Sequence, residues 1–558
     1  MARSLAVAAV GRRQTWAPSI AAQIAVLLFV HVLLWTWVGV SSRSNFDAPG
    51  DMVEAYAWSQ GWQWGYYKHP PLSAWVAGLW FSVVPASQLG YSLLAALNAA
   101  VGLAGLAVLA REFLPRPWVL LVVAVASLAP GITALAMRFN ANAILISSWP
   151  WAMAFFVRLM QRGRQRDAVL CGLACALAML GKYYSGVLLL SLLAAAICVP
   201  EWRRRLFTAP VALALAVFAV CLAPHAVWLL SQTQGPLQYA YEATSRESHS
   251  QAIVRALNFG LAQCVFPLFA FAALRSALIG PRAGRAFVQA VFAPLRPGRD
   301  RFWLLAMLPI LLTMLVTVGT EARTAWVWGL PIAAGLALLA GSRAMDAGAH
   351  LSLPRLWRML FAIWAAVALL SPLWWDANAA LRSPAVAEPR EELAIAVAKA
   401  WQSRFGRPLP EIAGTRELAA SVAFYAPNHP RYWSLWNTTI ETPWVTPGAV
   451  QANGSAIVCD SADRACESLA EQWSADRHTL VVAKHERGFS FEPRGYAVYL
   501  VPPSDSSSDP DLREPTAAPV ALALTRLAGP LGWVGGLLAR HPEQATFDVD
   551  AAAGADAR

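Results

Sequence analysis

Asp51 and Glu54 stand three residues apart, and Lys68 and His69 close the same short stretch: Asp51-Met-Val-Glu54-Ala-Tyr56-Ala-Trp58-Ser-Gln60-Gly-Trp62-Gln-Trp64-Gly-Tyr66-Tyr67-Lys68-His69-Pro70-Pro71-Leu72. No other segment mixes acids, bases and aromatics so densely. On a helix the two acids share a face. A carboxylate so placed is suited to take a proton from a hydroxyl, and a neighbouring cation is suited to hold a phosphate leaving group. Spacing alone is equally consistent with a solvated loop carrying ordinary ion pairs. Tyr56, Trp58, Tyr66 and Tyr67 read first as anchors at a membrane interface and second as walls of a substrate pocket.

The elements that must hold this stretch are membrane helices. Of 558 residues, 57% are hydrophobic and 14% charged, against about 25% charged in soluble domains. The apolar residues fall in blocks long enough to cross about 30 Å of hydrocarbon. We expect about eleven spans, near 19–41, 89–110, 117–137, 141–158, 167–181, 184–200, 207–229, 253–278, 302–319, 324–341 and 356–376. The first block, after Arg3, Arg12 and Arg13, is too long for a signal peptide and reads as a retained helix. The stretch 168–198 divides around Lys182-Tyr183-Tyr184, because the arginine clusters flanking it require an even number of crossings.

With the N-terminus in the cytoplasm, Arg111 and Arg116, Arg158 to Arg166, Arg203 to Arg205, Arg282 to Arg301 and Arg343 to Arg358 all face the cytoplasm, as the positive-inside rule requires. The loop 42–88 then lies outside, and its apolar piece from Leu72 to Val84 is too short to span and reads as an interfacial helix. The net charge of +11 resides in these joints rather than on one soluble face, which argues against a nucleic-acid partner.

After residue 376 charged residues return. Ala456-Ile457-Val458, Thr479-Leu480-Val481-Val482 and Tyr496-Ala497-Val498-Tyr499-Leu500 read as short buried strands, so 377–502 is expected to be a small extracytoplasmic α/β domain. Cys459 and Cys466 form a candidate disulfide there, while the other five cysteines lie in spans as packing residues. Residues 503–558 have the composition of a disordered tail. Its apolar piece 520–538 carries Arg526, which disfavours a further span.

The string from Asp51 through Trp58-Ser-Gln60 to Trp64-Gly-Tyr-Tyr-Lys-His-Pro-Pro-Leu72 resembles the first-loop signature of the GT-C membrane glycosyltransferases. Within them it is similar to the protein O-mannosyltransferases and lipid A aminoarabinose transferase, the family 39-like group. The resemblance implies that Asp51 is the catalytic acid residue. The usual neighbouring glutamate is Met52 here, which leaves Glu54 as the second acid. The family's basic residue before the prolines, linked to the donor phosphate, falls on His69 with Lys68 adjacent. Asn142 stands where many relatives carry a second aspartate, so Asn140 and Asn142 offer hydrogen bonds only. Lys182-Tyr183 falls at the family's lysine-tyrosine position, and charge at the edge of a span is costly enough to suggest function. Arg246, in the outer loop with Tyr239 and Glu242, and Arg323, in a very short loop, are further candidates for the donor phosphate. Gly414-Thr-Arg-Glu-Leu418, Tyr425-Ala-Pro427 and Pro443-Trp444 resemble the segment C-terminal to the spans in relatives.

The resemblance thus implies transfer of a sugar from a polyprenyl-phosphate donor to a lipid, polysaccharide or protein of the envelope, by one inverting displacement at the outer face of a bacterial inner membrane. No metal-ligand spacing demands a cofactor, while a divalent cation remains compatible, since relatives differ. A lipid or sugar transporter is the alternative. It lacks an internal hydropathy repeat, and the acids cluster in one outer loop instead of mid-membrane. A non-catalytic envelope assembly protein of the same fold is a second rival, supported only by Met52.

Overall fold

The computed structural model describes residues 19–46, 50–232, 235–236, 238–239, 248–265, 267–296, 298 and 300–504. Arg246, Glu242 and the tail from 505 onward lie outside the described residues. The chain is mostly helical. Its main helices are α1 (Ile20–Ser41), α2 (Asp51–Ser59), α3 (Leu72–Phe81), α4 (Gln88–Ala110), α5 (Arg116–Ala126), α6 (Ile144–Arg162), α7 (Gln165–Gly181), α8 (Ser185–Cys198), α9 (Ala209–Ser231), α10 (His249–Val265), α11 (Leu268–Ala277), α12 (Ala283–Val291), α13 (Arg301–Thr320), α14 (Ala333–Asp346), α15 (Leu353–Ala380), α16 (Arg390–Phe405) and α17 (Arg416–Tyr425).

Among the described residues, seven helical stretches are long and apolar enough to cross a membrane: α1, α4, α9, α10 with α11, α13, Trp326–Asp346 and α15. They account for seven of the expected spans. The other four are not among these seven. The stretch expected over 117–137 is the 11-residue α5, which stops at Ala126 before a 3-10 turn at Pro130–Ile132; a proline cannot donate the hydrogen bond that would continue the helix. Its residues Trp118 to Ala126 are all buried, so α5 sits inside the bundle. α6, α7 and α8 have 19, 17 and 14 residues. Pro267 separates α10 from α11, and Pro331 lies in the 3-10 turn Trp326–Ile332 that leads into α14, both for the same reason. Between residues 72 and 84 the helix is the 10-residue α3.

The arginine-rich joints gather at one end of the bundle. Arg158 and Arg162 both bind Glu112, Arg158 at 2.8 Å. Arg343 binds Asp300, and the Arg301 guanidinium lies 5.2 Å from the Phe113 ring centre. At the opposite end α1 finishes, α4 and α6 begin, and α2 and α3 lie between them.

A five-stranded mixed sheet packs over that second end. Its strands are β1 (Glu411–Gly414), β2 (Arg431–Tyr432), β3 (Ser455–Asp460), β4 (Arg477–Val482) and β5 (Arg494–Val501), in the order β2-β1-β3-β5-β4. β1 runs parallel to β2 and β3, while β5 is antiparallel to β3 and β4. The three apolar runs expected to be strands fall in β3, β4 and β5. Cys459 and Cys466 are joined in a disulfide with Cα atoms 5.7 Å apart, tying β3 to the helix after it.

Candidate active site

The site is built around α2. Gly50 starts the helix with φ of 103°, a left-handed conformation that glycine adopts without cost. A Cβ there would lie 2.9 Å from Cγ of Glu417, so the position also lets the sheet layer approach. Asp51 and Glu54 fall in the first turn, where carboxylates complement the helix dipole. All seven residues from Met52 to Trp58 are buried, and α2 packs between α3 and α17.

That packing separates the aromatics into two groups. Tyr56 meets Phe424 edge-on at 4.9 Å and Phe81 at 5.5 Å. Trp58 stacks on Tyr66 at 5.1 Å, Tyr66 donates to the Gly61 carbonyl at 3.0 Å, and Trp444 from the sheet layer closes over Tyr66 at 5.9 Å. Each such contact contributes about 0.5 to 1.5 kcal/mol beyond area burial. These three side chains set the position of α2 and the loop; Tyr67 alone of the four hydrogen-bonds an acid of the cluster, donating to Glu54 Oε1 at 3.1 Å.

Glu54 also accepts from Lys68 Nζ at 2.7 Å, and the pair is only 15% and 11% exposed. The Lys68 ammonium lies 5.3 Å from the Tyr67 ring centre and 5.8 Å from that of Tyr239. Asp51 is differently placed. Its side chain is open to solvent, and Oδ2 accepts from Asn140 Nδ2 at 3.2 Å. Asn140 has little choice of orientation, because its Oδ1 already accepts from the backbone N–H groups of Asn142 and Ala143 at 2.9 and 3.0 Å, at the start of α6.

Asn142 accepts from Lys182 Nζ at 2.6 Å, and that ammonium lies 4.5 Å from the ring centre of Trp328. Lys182 sits in the break between α7 and α8. Tyr183 beside it hydrogen-bonds His225 Nε2 at 3.0 Å, and His225 Nδ1 donates to the Trp64 carbonyl at 2.6 Å, which ties α9 to the loop. Arg323 lies just before the turn that carries Trp328.

The electrostatics result from crowding. Although open to solvent, the Asp51 carboxyl is ringed by protein that displaces water, and Glu54 adds like charge; its pKa is raised despite Lys68, Asn140 and Lys182. Burial pushes the Lys182 ammonium down to about 7, partly opposed by Asp51. His69 is held well below its ordinary value by burial, then by the charges of Lys182 and Lys68, which disfavours its imidazolium form. The structure therefore brings together Asp51, Glu54, Tyr67, Lys68, His69, Asn140, Asn142 and Lys182. Among the described residues no three His, Cys, Asp or Glu side chains gather as metal ligands.

Sequence reasoning missed two contributors, Trp328 and Glu441, and gave no specific role to Tyr239 or Arg416. Trp328 carries Lys182, and Tyr239, already named in the outer loop, covers Lys68. Arg416, inside the Gly414-Thr-Arg-Glu-Leu418 motif, lies over Tyr67, with its guanidinium carbon 5.3 Å from the ring centre. Glu441 binds that guanidinium at 2.7 Å. Only Arg416 stood in a motif; Trp328 and Glu441 carry no local signal.

Residues 68–228 match the family model of dolichyl-phosphate-mannose-protein mannosyltransferases. The chain is 30% identical over 320 residues to the lipopolysaccharide core galacturonosyltransferase RgtA of Rhizobium johnstonii, covering 52% of this chain and 62% of that protein. It is 26% identical over 335 residues to the lipid A galacturonosyltransferase RgtD of the same organism, covering 56% and 65%. The matched stretches thus span less than two thirds of both curated relatives. The fold is similar to that of ArnT from Cupriavidus metallidurans, solved in the apo state and bound to undecaprenyl phosphate. Both comparisons give a TM-score of 0.53 and cover 86% of this chain and 98% of that one, at 18% and 17% identity. The chain thus matches the mannosyltransferase family model over part of its length, is similar over part of their length to two galacturonosyltransferases, and shares the fold of ArnT.

Proposed function

We propose that this multi-span membrane protein is a glycosyltransferase that moves a sugar from a polyprenyl-phosphate carrier to an envelope acceptor. The observation that carries the reading is the Asp51 carboxylate, open to solvent and hydrogen-bonded through one oxygen to Asn140, in the field of the Lys68 and Lys182 ammonium groups. In this reading the acceptor hydroxyl oxygen attacks the anomeric carbon while Asp51 takes its proton. The bond from that carbon to the phosphate oxygen breaks, and its electron pair leaves with the polyprenyl phosphate. Lys68 and Lys182 offset the charge that develops there. A single displacement inverts the anomeric configuration.

The arginine joints at the far end of the bundle support a cytoplasmic N-terminus, with the site and the sheet layer on the periplasmic side. A lipid tail requires a route between helices, and α9, along which Ala214 and His225 are the only buried residues, gives the site a face open to lipid near His225. The named activities of the two curated relatives favour lipid A or the lipopolysaccharide core as acceptor and a uronic sugar as donor. Mass spectrometry of lipid-linked sugars and envelope glycans, in cells with and without this chain, tests the reading. Without it, a polyprenyl-phosphate sugar should accumulate and one glycan should lack a residue. No change in either pool would sink the proposal.

A further inference from the structure

Arg416 belongs to the extramembrane sheet layer, yet its guanidinium lies against the first-loop acid–base cluster. The backbone leaves little freedom in how it gets there. Gly414, the last residue of β1, has φ of 138°, and a Cβ there would lie 1.8 Å from the Val458 carbonyl oxygen, so the chain must turn tightly against β3. Thr415 donates to Asp463 Oδ2 at 3.0 Å, which fixes the turn. α17 then begins at Arg416. Two further hydrogen bonds register the same region on the loop: Gln60 Nε2 donates to the Pro430 carbonyl at 3.2 Å, and the Tyr432 N–H donates to Gln60 Oε1 at 2.9 Å.

A purely structural arginine is expected to satisfy its donors. Here Nη2 binds Glu441 at 2.7 Å, but Nε is buried without a hydrogen-bond partner, a cost that a native protein does not ordinarily bear without a reason. Beside Glu441 the guanidinium meets the Tyr432 hydroxyl, through a hydrogen bond, and the Tyr67 ring face. The Tyr67 hydroxyl donates to Glu54, which in turn holds Lys68, and the same ring flanks the Lys68 ammonium. The order of contact is therefore Glu441, Arg416, Tyr67, Glu54, Lys68.

We propose that Arg416 is a positioning residue through which the extramembrane sheet aims the Lys68 ammonium at the carrier phosphate, by seating Tyr67 and so the Glu54–Lys68 pair. This rests on the glycosyltransfer reading above. Arg416 touches no reacting atom in it. Without the guanidinium, Tyr67 loses the partner on its outer face, and the pair it anchors is free to take other rotamers. Lysine at the same position keeps the charge but lacks the planar group that lies on a ring.

The test is a double-mutant cycle on purified full-length protein, read by the binding of polyprenyl phosphate and by kcat and KM for the sugar donor. Arg416→Ala should weaken polyprenyl-phosphate binding and raise donor KM by roughly tenfold with kcat little changed, and Arg416→Lys should restore only part of the loss. In a Lys68→Met background, Arg416→Ala should cost almost nothing further. Glu441→Gln, which leaves Arg416 in place and removes its anchor, should move donor KM the same way by less. Losses that multiply in the double variant, or a fall in kcat at unchanged KM, would overturn the role of Arg416 while leaving the glycosyltransfer reading intact. Failure of the wild-type protein to bind polyprenyl phosphate would remove both.

Discussion

Replacing Asp51 by asparagine is the sharpest perturbation, because the structure makes its consequences asymmetric. The Asp51 carboxylate has two oxygens; one accepts from Asn140 Nδ2 at 3.2 Å, and the other is left for the acceptor hydroxyl. Asn140 cannot turn its amide over without breaking the two bonds its Oδ1 makes to backbone N–H groups at 2.9 and 3.0 Å. Asparagine must therefore point its single oxygen at Asn140 and its NH2 group into the site, where it cannot accept a proton. The hydrogen bond survives, so folding stability should change by less than about 1 kcal/mol. Loss of a general base costs roughly 10²- to 10⁴-fold, or about 3 to 5 kcal/mol of barrier. Removing an anion beside Lys68 and Lys182 should also leave the donor's KM unchanged or lowered. The assay is transfer by purified protein with saturating donor and acceptor, beside a thermal unfolding scan. A kcat within tenfold of wild type would place the base elsewhere and refute the reasoning.

Glu54→Gln should cost less than Asp51→Asn, since Glu54 is already engaged by Tyr67 and Lys68; the reverse order in kcat would make Glu54 the base. Because Glu54 is the second cause of the raised Asp51 pKa, the same variant should move the acid limb of the pH–rate profile to lower pH, and an unmoved limb would separate that limb from Asp51. Burial sets the Lys182 ammonium at about 7, so it is charged below that pH and neutral above. Binding of polyprenyl phosphate to the free protein should weaken as pH rises through about 7, and Lys182→Arg should flatten that dependence; a flat wild-type profile would argue against Lys182 as a phosphate partner. Tags at Arg162 and Asn453 should be reached from opposite sides of the membrane, and labelling of both from one side would refute the proposed orientation.

What was legible in the sequence was what depends on near neighbours in the chain. The i, i+3 spacing of Asp51 and Glu54 was enough to put them in one turn of α2, and apolar block length was enough to mark the seven long helices. Where prolines and burial interrupt a block, length misleads: α5 reads as a full span but stops after 11 residues and is covered by protein. Types without partners mislead in another way. Tyr56, Trp58 and Tyr66 read as interface anchors first and pocket walls second, and nothing local shows that they pack on Phe424, Phe81 and Trp444. Lys68 and His69 look interchangeable as cations until burial, which lowers the imidazole's pKa, is taken into account.

The partners that give the acids different roles lie far along the chain. Asp51 meets Asn140 across 89 residues and Lys182 meets Asn142 across 40, while Trp328 and Arg416 arrive from a turn and a sheet that share no local pattern with the loop. Both acids belong to the same helical turn, so their spacing alone, without the motif resemblance, cannot say which one is held ready for a proton. Long-range contact separates them: Glu54 is neutralised by Lys68 and tied to Tyr67, whereas Asp51 keeps an oxygen free because Asn140 is held by the start of α6. A base must present an unengaged lone pair to its substrate. In the glycosyltransfer reading proposed above, that makes Asp51 the better base, with Glu54 acting through the lysine it orients.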